Sequence, residues 1–186
     1  SPRPPKSLVN LFSKTKKPST KDLKHHLPSP IAETMNLNEL LNDTARRRPQ
    51  KPAIIDGETV VSYSALFKMI SDFAGHLDEL ALPPGCRAGL QVPGGLNYIV
   101  LTYALWRIQA VVIPIPVECP DEEVAEIVAK MQLEAVISAR PSAGAGNFLP
   151  GFYFSRRTPA SAPDNHGLNL AFIRFTSGTT SARKGV

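Results

Sequence analysis

Thr176-Ser177-Gly178-Thr179-Thr180-Ser181-Ala182-Arg183-Lys184-Gly185 is the stretch from which both fold and chemistry are read. It follows Leu170-Ala171-Phe172-Ile173-Arg174-Phe175, an apolar run that reads as a strand. Threonine and serine hydroxyls and free backbone N–H groups donate hydrogen bonds, Gly178 lets the backbone approach a ligand closely, and Lys184 adds a point charge. That combination can hold a polyphosphate. In open α/β sheets ligands bind beyond the carboxyl ends of the strands, which is where such a loop would begin. A Walker A loop is excluded: counted from Gly178, its second glycine would fall at Arg183, and the Gly-Lys order is reversed to Lys184-Gly185.

Upstream, the patterning alternates between helix and strand. Asn36 to Arg48 reads as a helix with Leu37, Leu40, Leu41 and Thr44/Ala45 at helical spacing and Asn36 or Asn38 as cap, ended by Pro49 and Pro52. Residues 53–56 and 59–62 read as a hairpin around Gly57-Glu58. From Ser64 to Leu80, Leu66, Ile70, Phe73, Leu77 and Leu80 share one helical face, with Ser64 as the expected cap and Pro83-Pro84-Gly85 as the stop. Arg87–Val92, Val111–Ile115 and Ala135–Ser138 read as strands, separated by helices from about Leu96 to Ile108 and from Asp121 to Met131. The alternation predicts an α/β fold, a parallel sheet with helices on both faces. Residues 139–169, rich in Pro, Gly, Ser and Ala, read as a surface connection with at most one short strand. Its cluster Phe152-Tyr153-Phe154 suits core or edge packing better than the lining of an acyl pocket.

The loop resembles the phosphate-loop signature of the AMP-forming, adenylate-forming enzymes, which include acyl-CoA synthetases, luciferases and the adenylation domains of peptide synthetases. Their pattern is an aromatic residue followed by Thr-Ser-Gly-Thr/Ser-Thr-Gly, any residue, and Pro-Lys-Gly. Phe175, Thr176, Ser177, Gly178, Thr179, Thr180, Lys184 and Gly185 match it; Ser181 stands in place of a glycine and Arg183 in place of a proline. Looser similarity covers residues 37–138, in Arg48–Ala53, Val61–Leu66 and Val111–Pro116. Ile108-Gln109 departs from it, occupying a turn where the family has Ala-Gly, and the 139–169 segment is short for the family.

The resemblance implies the N-terminal part of an acyl-CoA synthetase-like domain ending in the phosphate loop. Thr176, Ser177, Gly178, Thr179, Thr180, Ser181, Lys184 and Gly185 would bind ATP, with Lys184 the catalytic cation. A carboxylate would attack the α-phosphorus and expel pyrophosphate, with Mg²⁺ on the phosphates, and coenzyme A would accept the acyl group. A carrier protein is the alternative acceptor. A truncated, non-catalytic binding module is the alternative of another class, and an ordinary polar turn is the plain reading of the loop taken alone.

Charge narrows the partners. Residues 1–30 hold seven Lys/Arg against Asp22, whereas residues 31–186 hold 14 basic and 15 acidic residues. The net charge of +5 therefore belongs to the segment 1–30, read as a disordered, Pro-rich arm, while residues 31–186 are read as the partial AMP-binding domain. A near-neutral body argues against a nucleic-acid-binding domain. The arm, with its apolar patch Leu8–Phe12, reads as a solvated tail or as a peripheral membrane or partner contact. No apolar run approaches the roughly 18 residues of a membrane span, and no secretory h-region follows the first residues. Cys86 and Cys119 form no C-x-x-C pair, the four histidines have no metal-ligand spacing, and His76 reads as structural or surface. Two scattered cysteines suit a reducing compartment, expected to be the cytoplasm. The chain lacks an initiating Met and ends one residue past Lys184-Gly185, so a fragment is expected.

Overall fold

A computed structural model describes residues 36–142, 144–160, 170–176 and 184–185. The segment 1–30, read above as an arm, lies outside the described residues. The order of elements is α1 (Leu37–Arg47), β1 (Pro52–Asp56), β2 (Thr59–Ser62), α2 (Tyr63–Asp78), β3 (Arg87–Gln91), α3 (Leu96–Arg107), β4 (Val111–Pro114), α4 (Asp121–Met131), β5 (Ala135–Ser138), β6 (Gly146–Leu149), β7 (Phe152–Arg156), β8 (Phe175–Thr176) and β9 (Lys184–Gly185).

The main sheet has the order β4-β3-β5-β7-β6. β3 pairs in parallel with β4 on one side and β5 on the other. Side chains alternate cleanly across it. Ala88, Leu90, Val112, Ala135 and Ile137 enter one core with α1, α2 and α3. Val111, Ile113 and Val136 enter a second core with Val124, Ile127 and Met131 of α4. Strands covered on both faces must be apolar throughout, which is why these three carry almost no polar side chains. Helix α3 on one face leads from β3 to β4, and α4 on the other leads back across to β5, so both crossovers have the same hand.

The α/β architecture with helices on both faces matches the expectation from sequence, with one correction. The sheet is mixed, not wholly parallel. The 139–169 segment supplies β6 and β7, an antiparallel hairpin added to the edge of β5, with Val136 opposite Ser155. Phe152 is buried and meets Phe73 of α2 edge to face at 6.0 Å, and Phe154 packs on Phe148 at 6.0 Å. The aromatic cluster is core and edge packing.

Local signals explain the helices, with two shifts. Asn36 caps α1 by accepting from the Asn38 amide. Helix α1 buries Asn38, Leu41 and Ala45, while Leu37 and Leu40 remain 45% and 50% exposed. The inward face is turned by about 70° from the predicted leucine stripe, at 3.6 residues per turn. Leu41 and Ala45 belong to both arcs, and Leu41 joins the core shared with α2 and α3. Ser62, not Ser64, caps α2: its Oγ accepts from the Ala65 amide at 3.3 Å, and Ser64 lies inside the first turn. Arg107 then ties three helices together, donating to Ser71 Oγ at 2.6 Å and Asn42 Oδ1 at 3.0 Å and lying 4.8 Å over the Phe67 ring. His76 lies on the surface, 4.0 Å from Glu79.

Two positions, one in an exposed turn and one buried, make measurable claims. Gln109, in the turn between α3 and β4, has φ +60, the left-handed conformation that disfavours a side chain. Gln109→Gly should stabilise the protein by about 0.5–1 kcal/mol, the relieved strain being partly offset by a freer unfolded chain. A rise in the urea midpoint at unchanged m-value would register it, and a fall would mean the glutamine side chain contributes more than its strain costs. Cys86 is 1% exposed, and its thiol is pushed from 9.0 up to about 12, first by burial and then by Glu134, with Arg156 opposing. At pH 8 its thiolate fraction in the folded protein is on the order of 10⁻⁴, so iodoacetamide should label it about a thousandfold more slowly than in guanidinium. Because the folded state keeps the proton that the unfolded state releases, this thiol lowers stability as pH rises from 9 towards 12. Cys86→Ala should flatten that part of the stability–pH curve, and an unaltered slope would contradict the raised pKa.

Candidate functional site

The predicted phosphate-binding stretch begins on the free side of β4. Phe172 bridges Val112 in parallel, with the Val112 amide donating to the Ala171 carbonyl and the Ile173 amide to the Val112 carbonyl, both at 3.0 Å. The chain after Phe172 therefore runs towards the same end of the sheet as the carboxyl ends of β3, β4 and β5, where Leu90 pairs with Pro114 and Gln91 with Ser138. The expectation of one continuous strand over residues 170–175 holds only in part: a bridge at Phe172 is followed by the separate two-residue β8.

β8 pairs antiparallel with β9, Phe175 opposite Gly185 and Thr176 opposite Lys184. The backbone thus closes the stretch into a loop and brings its first hydroxyl residue level with its lysine. Of the predicted site residues, Thr176, Lys184 and Gly185 are placed at this base. Ser177, Gly178, Thr179, Thr180 and Ser181 lie outside the described residues.

Three side chains that sequence reasoning did not single out organise this edge. Trp106 of α3 donates from Nε1 to the Ala171 carbonyl at 3.0 Å and meets Phe172 edge to face at 5.0 Å, with Tyr103 behind it at 5.1 Å. It secures the incoming segment from the helix side. Gln91 and Arg140 secure the β4–α4 loop. The signals were present: Trp106 is the chain's one tryptophan, and Gln91 is an amide directly after the apolar run Ala88-Gly89-Leu90. Neither says, from sequence alone, what it will touch.

Two cavities flank the sheet. One of about 370 Å³ opens beyond the carboxyl ends of β3 and β5, between Pro93-Gly94-Gly95, Ala139 and Gly151. Gly95 begins α3 without a side-chain cap, at φ +126, and a Cβ there would lie 3.2 Å from the Asp56 carboxylate. A carboxylate at that helix start favours cations and polar neutral groups over a polyphosphate. The other cavity, about 230 Å³, lies under α4 between Val124, Ala125, Val128 and Val136, with Gln91 and Arg157 on its wall. Burial pushes the Tyr98 hydroxyl up, with Arg174 and a hydrogen bond from Thr102 opposing, and burial also raises Tyr103. Among the described residues no three His, Cys, Asp or Glu side chains converge, and no helix is long and apolar enough to cross a membrane.

Similarity to known proteins follows the same outline. Residues 41–186 match the AMP-binding enzyme family. The chain is 30% identical over 181 residues to the phosphinothricin tripeptide synthetase PhsC of Streptomyces viridochromogenes, covering 91% of this chain but 16% of that protein. Its fold is similar to the N-terminal subdomain of Klebsiella oxytoca NpsA in complex with 3-hydroxybenzoyl-AMSN, with a TM-score of 0.63 at 21% identity over 81% of this chain and 40% of that one. It is also similar to NpsA-ThdA, an artificially fused adenylation–PCP di-domain peptide synthetase from the same organism, with a TM-score of 0.55 at 20% identity over 60% and 21% of the two chains. With a family match over residues 41–186, and a helix-flanked sheet that hands its last strand to a Thr/Ser/Gly/Lys loop, the chain belongs to the AMP-binding enzymes, the AMP-forming, adenylate-forming superfamily.

Proposed function

We propose that this chain is the ATP-binding N-terminal part of an enzyme that activates a carboxylic acid as its acyl-adenylate. The observation that supports this reading is the course of the backbone into this stretch: Phe172 bridges β4 in parallel, heading towards the carboxyl end of the sheet, and Thr176 and Lys184 then pair across β8 and β9. Thr176, Ser177, Gly178, Thr179, Thr180, Ser181 and Gly185 surround the β- and γ-phosphates, and Lys184 is the catalytic cation. In this reading the loop's hydroxyls, backbone N–H groups and lysine meet the charge that develops on the leaving pyrophosphate as the carboxylate attacks the α-phosphorus. Mg²⁺ on the nucleotide phosphates would supply further charge neutralisation.

The acceptor we assign is a carrier-protein thiol, in place of the coenzyme A expected from sequence. The reading is supported by similarity to a tripeptide synthetase and to an adenylation–PCP di-domain. The cytoplasm suits Cys86 and Cys119, both buried and far apart in the sequence.

The full-length protein should catalyse ATP–pyrophosphate exchange that depends on one member of a panel of amino, aryl and fatty acids. Lys184→Ala should lower that exchange by about 10²-fold, the loss of a group aimed at developing charge, while Arg183→Ala should cost less than about threefold. Absence of acid-dependent exchange across the panel would refute the adenylation reading. Equal losses in the two variants would mean that the loop cation is misassigned.

A further inference from the structure

The loop between β4 and α4, residues 115–120, leaves the sheet beside the segment that carries the phosphate loop. Counted from the Val112–Phe172 bridge, Ile115 and Pro116 are as far along β4's course as Phe175 and Thr176 are along their own. Two side chains from other strands hold this loop by its carbonyls. Gln91, the last residue of β3 and 3% exposed, donates from Nε2 to the Pro116 carbonyl at 3.2 Å and to the Cys119 carbonyl at 3.1 Å. Arg140, just beyond β5, donates from Nη2 to the same Cys119 carbonyl at 2.5 Å and to Asp121 Oδ1 at 2.9 Å. Ser138, buried at the end of β5, donates to the Arg140 carbonyl and keeps that turn in register. Within the loop the Cys119 amide closes on the Pro116 carbonyl at 3.1 Å, and its start is anchored by the Ile115 amide on the Leu90 carbonyl at 3.0 Å.

Packing does not require this arrangement. The face that Gln91 occupies is otherwise built from Val111, Ile113, Val136 and Leu133, where an aliphatic residue would bury more apolar surface. A buried amide is tolerated only because both of its N–H donors are used. Both are used on one loop, and the second brace, Arg140, converges on the same carbonyl. The outcome of spending two polar side chains here is a loop of fixed position at the ligand-binding edge.

We propose that Gln91 and Arg140 are positioning residues that fix loop 115–120 as one wall of the nucleotide site, so that ATP is held in line for attack. This rests on the adenylation reading above. Neither residue touches the reacting atoms. Their removal lets the wall move, and nucleotide binding weakens while the acid site is unaffected.

The test uses the full-length protein with Gln91→Leu, which is nearly isosteric and removes both donors, and with Arg140→Ala and Arg140→Lys, which alter a half-exposed side chain. Three quantities are read: KM for ATP against KM for the acid in pyrophosphate exchange, Kd for ATP by calorimetry, and hydrogen–deuterium exchange of residues 115–120. The expected result for Gln91→Leu and Arg140→Ala is a rise of about tenfold in KM and Kd for ATP, as for a misplaced positioning group. KM for the acid should move less than about twofold, exchange at 115–120 should be faster, and Arg140→Lys should be partly rescued. Unchanged ATP constants in both variants, or kcat and both KM values falling together with melting temperature, would overturn the proposal. A wild-type protein that binds ATP but exchanges pyrophosphate with no acid would sink the adenylation reading alone, with the ATP Kd of the variants still deciding this one. A wild-type protein that fails to bind ATP would overturn both.

Discussion

Gly89, in the middle of β3, lies between Ile113 of β4 and Val136 of β5, and it has no side chain. Ile115 and Leu133 fill the space instead; a Cβ on Gly89 would come within 2.8 Å of one and 2.9 Å of the other. This close approach lets α4 and the loops at its two ends settle directly on the central strand. β3 is thereby buried on both faces and paired in parallel on both edges, and the rest of the molecule inherits its direction. Two crossovers of one hand bring the carboxyl ends of β3, β4 and β5 to the same end of the sheet. The free side of β4 remains to accept the Phe172 segment in parallel. If β3 could not be covered on both sides, that common edge would not exist, and the Phe172 segment would have no shared end of the sheet towards which to run.

Features carried by local periodicity were legible in the sequence, and those carried by partners distant in the chain were not. Helix α4 and strand β5 fall where pattern and capping place them, because Asp121, Pro120 and the run Ala135–Ser138 state their own limits. Helix α1 shows the limit of pattern. Leu37, Leu40 and Leu41 fit one stripe and Asn38, Leu41 and Ala45 another, and only the position of α2 selects between them. The 139–169 segment reads as a connection because nothing within it announces that Phe154 will pair with Ile137. Gln91, Arg140 and Trp106 were missed for the same reason. Each acts on a backbone carbonyl 20 to 65 residues away, and such a partner leaves no trace in the spacing of side chains.

Departures from the family pattern take on different weight once placed. Gln109 replaces a glycine of the resemblance and does adopt a left-handed backbone, so the conformation is kept although the residue that favours it is gone. The turn holds it from both sides: the Gly85 amide donates to the Gln109 carbonyl at 2.8 Å, the Gln109 amide to the Trp106 carbonyl at 3.0 Å, and the Ala110 amide to the Leu105 carbonyl at 3.0 Å. A surrounding framework of this kind can impose roughly 1 kcal/mol of strain on a single residue. By the same reasoning Ser181, in place of another family glycine, does not by itself disqualify the phosphate loop, provided the loop is braced as the α3–β4 turn is.

Electrostatics at the carboxyl edge disfavours a polyanion at its helix termini. Two helices present their N-termini there, and either would ordinarily attract an anion. α4, however, carries Asp121, Glu122 and Glu123 in its first turn, and Arg140 is already committed to Asp121 at 2.9 Å. α3 has no acid of its own in the first turn, but the Asp56 carboxylate from β1 lies against Gly95 at its start. Both positive helix ends are thus met by protein carboxylates, and a polyphosphate approaching either would encounter like charge. By composition, the stretch from Thr176 to Gly185, with Arg183, Lys184 and no carboxylate, is the better match for a polyanion.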